Sequence, residues 1–130
     1  MSEEFKVEIV KPEQSFLLKE DVIEIVVPAF EGEMGILKDH IPIISFLKPG
    51  LIKIFSNSEE ENYYIEDGIV EFKDNCLSVL TSSIFNIKDM DKDKISDLLK
   101  QAEAHSAKNK VTDQDKYLVD QKIGVLKTLN

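Results

Sequence analysis

Few residues in this chain have types that could do chemistry. His40 stands in the stretch EGEMGILKDHIPIISFLKPG, Glu31 to Gly50, with two glutamates, three glycines and two prolines. An imidazole near carboxylates is the raw material of acid–base catalysis or metal binding. Neither is completed here. No Ser or Cys nucleophile stands beside a recognisable base, and the other histidine, His105, falls in a segment of different periodicity, so no histidine pair sits at ligand spacing. Gly32-Glu33-Met34-Gly35 has the outline of a GxxG loop, but its glutamate repels phosphate and no lysine lies within the four residues. His40 precedes Ile41-Pro42 and is expected to be a turn residue whose ring bonds neighbouring backbone. What remains is recognition. Gly32 and Gly35 permit tight backbone geometry, Met34 is adaptable, and Glu31 and Glu33 on a turn without a nearby base are open to a basic partner. A plain solvated loop is the competing reading.

The elements that must position these residues come from one ordinary domain, or a small domain with an appendage: 130 residues, 42% hydrophobic and 32% charged. No apolar run approaches the roughly 20 residues that cross a bilayer, so no direct membrane insertion is expected. The acidic start MSEEFKVEIV resembles neither a secretory signal nor an Arg-rich transit peptide. Cys76, the single cysteine, lies in the alternating run Cys76–Leu80 and predicts a packed strand thiol in a reducing compartment. Residues 1–88 carry 8 lysines against 17 acids, a net of −9, whereas residues 89–130 carry 8 of each; there is no arginine at all. That balance excludes a nucleic-acid partner, which needs a basic face.

From Phe5 to about Leu80 the pattern is short alternating runs, Phe5–Ile9, Val22–Val27 and Leu51–Phe55 among them, broken by Lys11-Pro12-Glu13, Pro28 to Gly32, Lys48-Pro49-Gly50, Glu66-Asp67-Gly68 and Asp74-Asn75. This spacing predicts an antiparallel β-sandwich or flattened barrel of roughly eight to ten strands. Its tightest hairpin turns at Asp74-Asn75. After Lys88 the period changes. Ile95, Leu98, Leu99 and Ala102 form a helical stripe that Asp89, Asp91 or Asp93 can cap. A second helix begins near Thr112, with Thr112–Asp115 at capping-box spacing, and gathers Leu118, Val119, Ile123, Val125, Leu126 and Leu129 on one side. Gly124 falls on the other. The short polar linker 106–111 folds the two helices into an antiparallel hairpin. Two short helices do not bury enough to stand alone, so the hairpin needs a host surface and is the more easily released element. The expected division is a sandwich over 1–88 and a helical hairpin over 89–130.

In order, Phe5–Val10, Val27-Pro28, Glu31–Leu37, His40-Ile41-Pro42, Leu47–Gly50, Tyr64–Gly68 and Val79–Thr81, closed by two helices, resemble the epsilon subunit of bacterial rotary F-type ATP synthases over essentially the whole chain. The resemblance implies a non-catalytic rotor subunit of the central stalk, without a cofactor, that couples the gamma subunit to the c-ring. It also implies a peripheral position on the cytoplasmic face of the bacterial inner membrane. Glu31, Glu33, Met34 and His40 are then expected at the c-ring. Ile95, Leu98, Leu99, Leu118, Ile123 and Leu126 are expected to serve gamma contact or a regulatory hairpin that restrains hydrolysis and conditionally reaches the catalytic alpha and beta subunits. Some relatives bind ATP on the hairpin through Ile/Leu-Asp-x-x-Arg-Ala and further arginines. Here the comparable region reads Lys94-Ile95-Ser96-Asp97-Leu98-Leu99-Lys100-Gln101-Ala102, so ATP binding by that motif is not expected. The alternative is a stand-alone β-sandwich adaptor whose helical tail binds an unrelated partner.

Overall fold

The structure, a computed structural model, describes residues 3–57, 59–106 and 113–129. Nine strands come first: Phe5–Lys11 (β1), Gln14–Ala29 (β2), Gly32–Leu37 (β3), Ile43–Leu47 (β4), Gly50–Ser56 (β5), Glu60–Ile65 (β6), Gly68–Lys73 (β7), Cys76–Leu80 (β8) and Ile84–Asn86 (β9). A single 3-10 turn, Ile87–Asp89, leads to two helices, Lys92–Ser106 (α1) and Asp113–Leu129 (α2), which pack on each other.

The strands form two layers that share β2. The first half of β2 pairs with β1, the second half with β3 and β5, and β2 touches β4 at Ala29 and Leu47. One layer therefore runs β4-β7-β8-β1 and the other β3-β2-β5-β6-β9. Alternation fills the space between them. Phe5, Val7 and Ile9 of β1, Val70 and Phe72 of β7, Leu77 and Val79 of β8, and Ile52 and Ile54 of β5 are all buried in one core. Phe5 and Phe72 meet edge to face, with centroids 5.7 Å apart.

Several local expectations are met. Asp74 and Asn75 both take positive φ, 52° and 56°, in the two-residue β7–β8 turn. Of the three candidate caps, Asp91 accepts from the Lys94 amide at 2.8 Å through Oδ1. Cys76 is a free, half-buried thiol at the start of β8. The linker 107–111 and Thr112 of the capping box lie outside the described residues.

Other features depart from the expectation. The strand expected over Val22–Val27 extends from Gln14 to Ala29, because β1 supplies a partner for its first half. Pro28 lies inside it rather than opening a turn. The missing amide is tolerated where β2 passes from β5 toward β4, and the Pro28 carbonyl accepts from the Lys48 amide at 3.0 Å. Glu33 stands in β3, since the turn itself is only Phe30-Glu31, between Ala29 and Gly32. β1 and β8 run parallel, the exception in an otherwise antiparallel scheme.

Candidate functional site

Residues directly opposite one another on paired strands project from the same side of the sheet. In the β4-β7-β8-β1 layer, register places Phe46 opposite Ile69, Ile69 opposite Leu80, and Leu80 beside Val10. The inward residues of these strands already fill the core, so this apolar row faces outward. Phe46 is 62% exposed, Leu80 57% and Ile69 41%. Phe30, on the β2–β3 turn, adds its ring to Phe46 at a centroid distance of 6.4 Å, and its amide donates to the Phe46 carbonyl at 3.2 Å. A groove of about 860 Å³ runs along the row. In the next outward row the exposed Ile44 continues the strip along β4, while Glu71, Ser78 and Glu8 bound it along β7, β8 and β1. A contiguous exposed apolar strip with a polar border marks a protein-binding surface.

The second layer carries a matching row. Leu51 of β5 pairs with Tyr64 of β6, and Tyr64 with Phe85 of β9. This row is covered by Met90, Ile95, Leu98 and Leu126, with Leu99, Val125 and Leu129 around them. Tyr63, Tyr64 and Ile65 are consequently all buried: the core takes Tyr63 and Ile65, and the helices take Tyr64. Burial and then the nearby Glu66 carboxylate push the Tyr64 phenol well above its ordinary value. Of the expected hairpin residues, Ile95, Leu98, Leu99 and Leu126 belong to this contact. Ile123 is half-buried outside it, and Leu118 lies on the rim of the bare groove.

The four residues expected at the c-ring are not gathered in one place. Glu31 and Glu33 are exposed: Glu31 follows Phe30 in the turn, whereas Glu33 stands opposite Pro28 in β3, in a cleft with Lys48, Lys53 and Asp120 of α2 on the hairpin side of the sandwich. Met34 is half-buried against the core. His40 lies beyond the other end of β3, six residues and thus about 20 Å of strand away. Its Nδ1 donates to the Ile41 carbonyl at 2.7 Å and its ring meets the Phe72 edge, as a turn residue's should. Asp39 and Asn75 exchange hydrogen bonds of 2.7 and 2.9 Å, tying this loop to the β7–β8 turn.

The motif glycines have structural work to do. A Cβ on Gly50 would meet the Pro28 ring at 2.6 Å, so Val27-Pro28 and Leu47–Gly50, remote in sequence, form one corner. Gly68 has φ 155° and its Cβ would lie 2.9 Å from the Leu80 carbonyl. Beside it the Thr81 hydroxyl donates to the Asp67 carbonyl at 2.8 Å, and the Asp67 carboxylate accepts from the Ser82 amide and hydroxyl. The rows of Phe46 and Tyr64 escaped the sequence reading. The available signal was the runs Ile43-Ile44-Ser45-Phe46-Leu47 and Tyr63-Tyr64-Ile65, where apolar residues occupy both phases of a period-2 pattern.

No group of His, Cys, Asp and Glu suited to holding a metal ion occurs among the described residues, and no helix there is long and apolar enough to cross a membrane. A sandwich whose outer rows are apolar, one under its own helices and one bare, defines a docking protein. Comparison with known proteins narrows the class. Residues 4–87 match the family of the ATP synthase delta/epsilon chain, beta-sandwich domain. The ATP synthase epsilon chain of Pelagibacter ubique (strain HTCC1062) is 80% identical over 130 residues, all of both chains. That of Dichelobacter nodosus (strain VCS1703A) is 38% identical over 79% of this chain and 72% of its own. Two solved assemblies contain chains of the same fold. One is the Euglena gracilis mitochondrial ATP synthase OSCP/F1/c-ring, with TM-score 0.76, 19% identity, and coverage of 99% of this chain and 81% of that one. The other is the central stalk/c-ring of Tetrahymena thermophila mitochondrial ATP synthase, with TM-score 0.71, 18% identity, and coverage of 98% and 96%. The chain belongs to the ATP synthase delta/epsilon family, as an epsilon chain: a non-catalytic stalk subunit of the complex.

Proposed function

We propose that the bare row Phe46, Ile69, Leu80 and Val10 seats the gamma subunit, and that the Glu31-Glu33 end of β3 meets polar loops of the c-ring. On this reading 1–88 is the rotor-coupling unit and 89–130 a regulatory arm that restrains ATP hydrolysis, conditionally by reaching the alpha and beta subunits. The complex is proton-translocating and the subunit sits peripherally on the cytoplasmic face of a bacterial inner membrane. The observation that carries the reading is the uncovered apolar row, bounded by Glu71 and Glu8 and continuous with Phe30 on the acidic turn. Burying such a strip is favourable at about 25 cal/mol per Å², whereas the exposed carboxylates of the turn stay solvated until a basic or polar partner arrives.

His40, hydrogen-bonded within its own loop and in edge-to-face contact with Phe72, is read as a scaffold for that loop, and the c-ring contact is assigned to the acidic turn. The test uses single cysteines in a Cys76→Ser background. Ile69→Cys should cross-link to gamma and Glu31→Cys to the c-ring in native membranes. Cross-linking of Ile69→Cys to the c-ring alone, or of Glu31→Cys to a catalytic subunit alone, overturns the assignment of faces. For the arm, a chain ending at Lys88 should still assemble and support synthesis while hydrolysis rises a few-fold. Equal hydrolysis with and without residues 89–130, at matched complex content, removes the brake.

A further inference from the structure

The hairpin is held to the sandwich by two kinds of contact with different consequences. The apolar cluster around Tyr64 is non-directional and tolerates sliding. The Glu66 carboxylate is not. Its Oε2 accepts from the Tyr64 hydroxyl at 3.1 Å and pairs with Lys122 Nζ of α2 at 3.7 Å, with both side chains of the ion pair largely shielded. One oxygen thus joins the ring at the centre of the covered face to the helix that covers it. Glu66 is also fixed from behind. Its amide donates to the Ser83 carbonyl at 3.2 Å, and the next residue, Asp67, is bonded to Thr81 and Ser82 in a turn that requires glycine at position 68. On the neighbouring strand Phe85 stacks on Tyr64 and lies 4.8 Å beneath Lys94 Nζ of α1. Each helix therefore presents one lysine to the Tyr64–Phe85 pair or to its carboxylate.

We propose that Tyr64, Glu66 and Lys122 are a latch that sets how long the hairpin stays docked, a positioning device distinct from the apolar cluster that makes docking favourable. The inference rests on reading the hairpin as a movable arm. The charge-assisted hydrogen bond from Tyr64 is directional and fixes where the Glu66 carboxylate points, so the ion pair to Lys122 forms in one placement of α2, and losing it changes the register and lifetime of the docked helix more than its helicity. A carboxylate that keeps its tyrosine partner and regains water after release can be re-engaged, which suits a reversible catch.

The test is native-state hydrogen exchange of the full chain in wild type, Lys122→Met, Glu66→Gln, Tyr64→Phe and the Glu66→Gln/Lys122→Met double variant. Exchange of α2 amides should rise about fivefold in Lys122→Met and in Glu66→Gln, and the double variant should rise no further than either single one, since both remove the same ion pair. Amides of β7 and β8 should not change. Tyr64→Phe separates the hydroxyl from the ring and should raise α2 exchange less than Lys122→Met does. Unchanged α2 exchange in Lys122→Met, or additive effects in the double variant, overturns the latch. ATP hydrolysis by the assembled complex is read separately. Loosened helices with unchanged hydrolysis overturn the brake and uphold the latch, whereas tight helices in Lys122→Met overturn the latch whatever the hydrolysis rate.

Discussion

The two outer faces of the sandwich begin from the same local plan and end in opposite states. On one, Leu51, Tyr64 and Phe85 form a row across three strands; on the other, Phe46, Ile69, Leu80 and Val10 form a row across four. Each row consists of the outward phase of alternating strands, and each is as apolar as the inward phase behind it. The difference lies in what the chain brings next. After β9 the 3-10 turn delivers α1 and α2 to the first face, and Tyr64 becomes inaccessible; nothing within the described residues covers the second, and Phe46 stays 62% exposed. An apolar row is thus a request for a cover, and whether the cover is the chain's own or another subunit's is decided by connectivity.

The largest effect expected from this contrast concerns the covered face. Tyr64→Ala removes a fully buried ring from the centre of the hairpin contact and should cost about 3–5 kcal/mol of docking. Exchange protection of α1 and α2 should collapse while that of β1, β7 and β8 persists, because their core is a separate cluster. Phe46→Ala, the corresponding truncation on the bare face, should change the stability of the isolated subunit by no more than about 0.5 kcal/mol. If Phe46→Ala destabilises the isolated chain as much as Tyr64→Ala does, the bare face is not bare and the comparison fails.

An intermediate effect tests the other side of the same contrast. Ile69→Asp places a charge in the middle of the exposed row, at a site where water still reaches it in the free subunit, so folding should be nearly unaffected. In the assembled stalk the same carboxylate would be trapped against an apolar partner, and truncations or charges at the centre of an interface commonly cost about 2 kcal/mol or more. The measurement is the dissociation constant of the subunit for membrane-bound ATPase, which should rise at least about thirtyfold relative to wild type. A constant equal to wild type would mean that the row is not the seat of gamma.

Local features of this chain were legible because their causes are local. Asp74-Asn75 has two residues that accept positive φ between two alternating runs, Asp91 is three positions before the amide it caps, and Ile95, Leu98 and Ala102 recur at helical spacing. The non-local features were hidden for the matching reason. Gln14–Leu18 looks like loop sequence until β1 is there to pair with it, and the parallel β1–β8 contact joins residues some seventy positions apart. The candidate site divides along the same line. Glu31 and Glu33 could be found from type and spacing, but that His40 lies at the far end of β3 follows only from the strand between them. Tyr64 could not be told from its neighbour Tyr63 by sequence, since one faces the core and the other the hairpin, and only the arrival of Leu98 and Leu126 makes both buried.

The smallest effect sharpens what release of the cover involves. Gly124 is exposed in the interior of α2, and a Cβ there would meet no heavy atom within 4 Å. Gly124→Ala therefore adds no contact with the sandwich and acts only on the helix, which it should stabilise by about 0.5–1 kcal/mol. Its influence on docking depends on the undocked state. If α2 remains helical when released, both states gain equally and the docking equilibrium does not move. If release is coupled to unwinding, only the docked state gains, and docking tightens by roughly two- to fivefold. Isolated helices of this length are marginal in water, and α2 draws the burial of Leu126 from the cluster around Tyr64, which release removes. We therefore expect Gly124→Ala to slow exchange of α2 amides by roughly two- to fivefold in the free subunit, with helix content at the same temperature rising in step. Slower exchange with no change in the fraction of released hairpin would show that the hairpin leaves the sandwich as a preformed rod, and the contrast between the two faces would then rest on docking alone, with no folding step behind it.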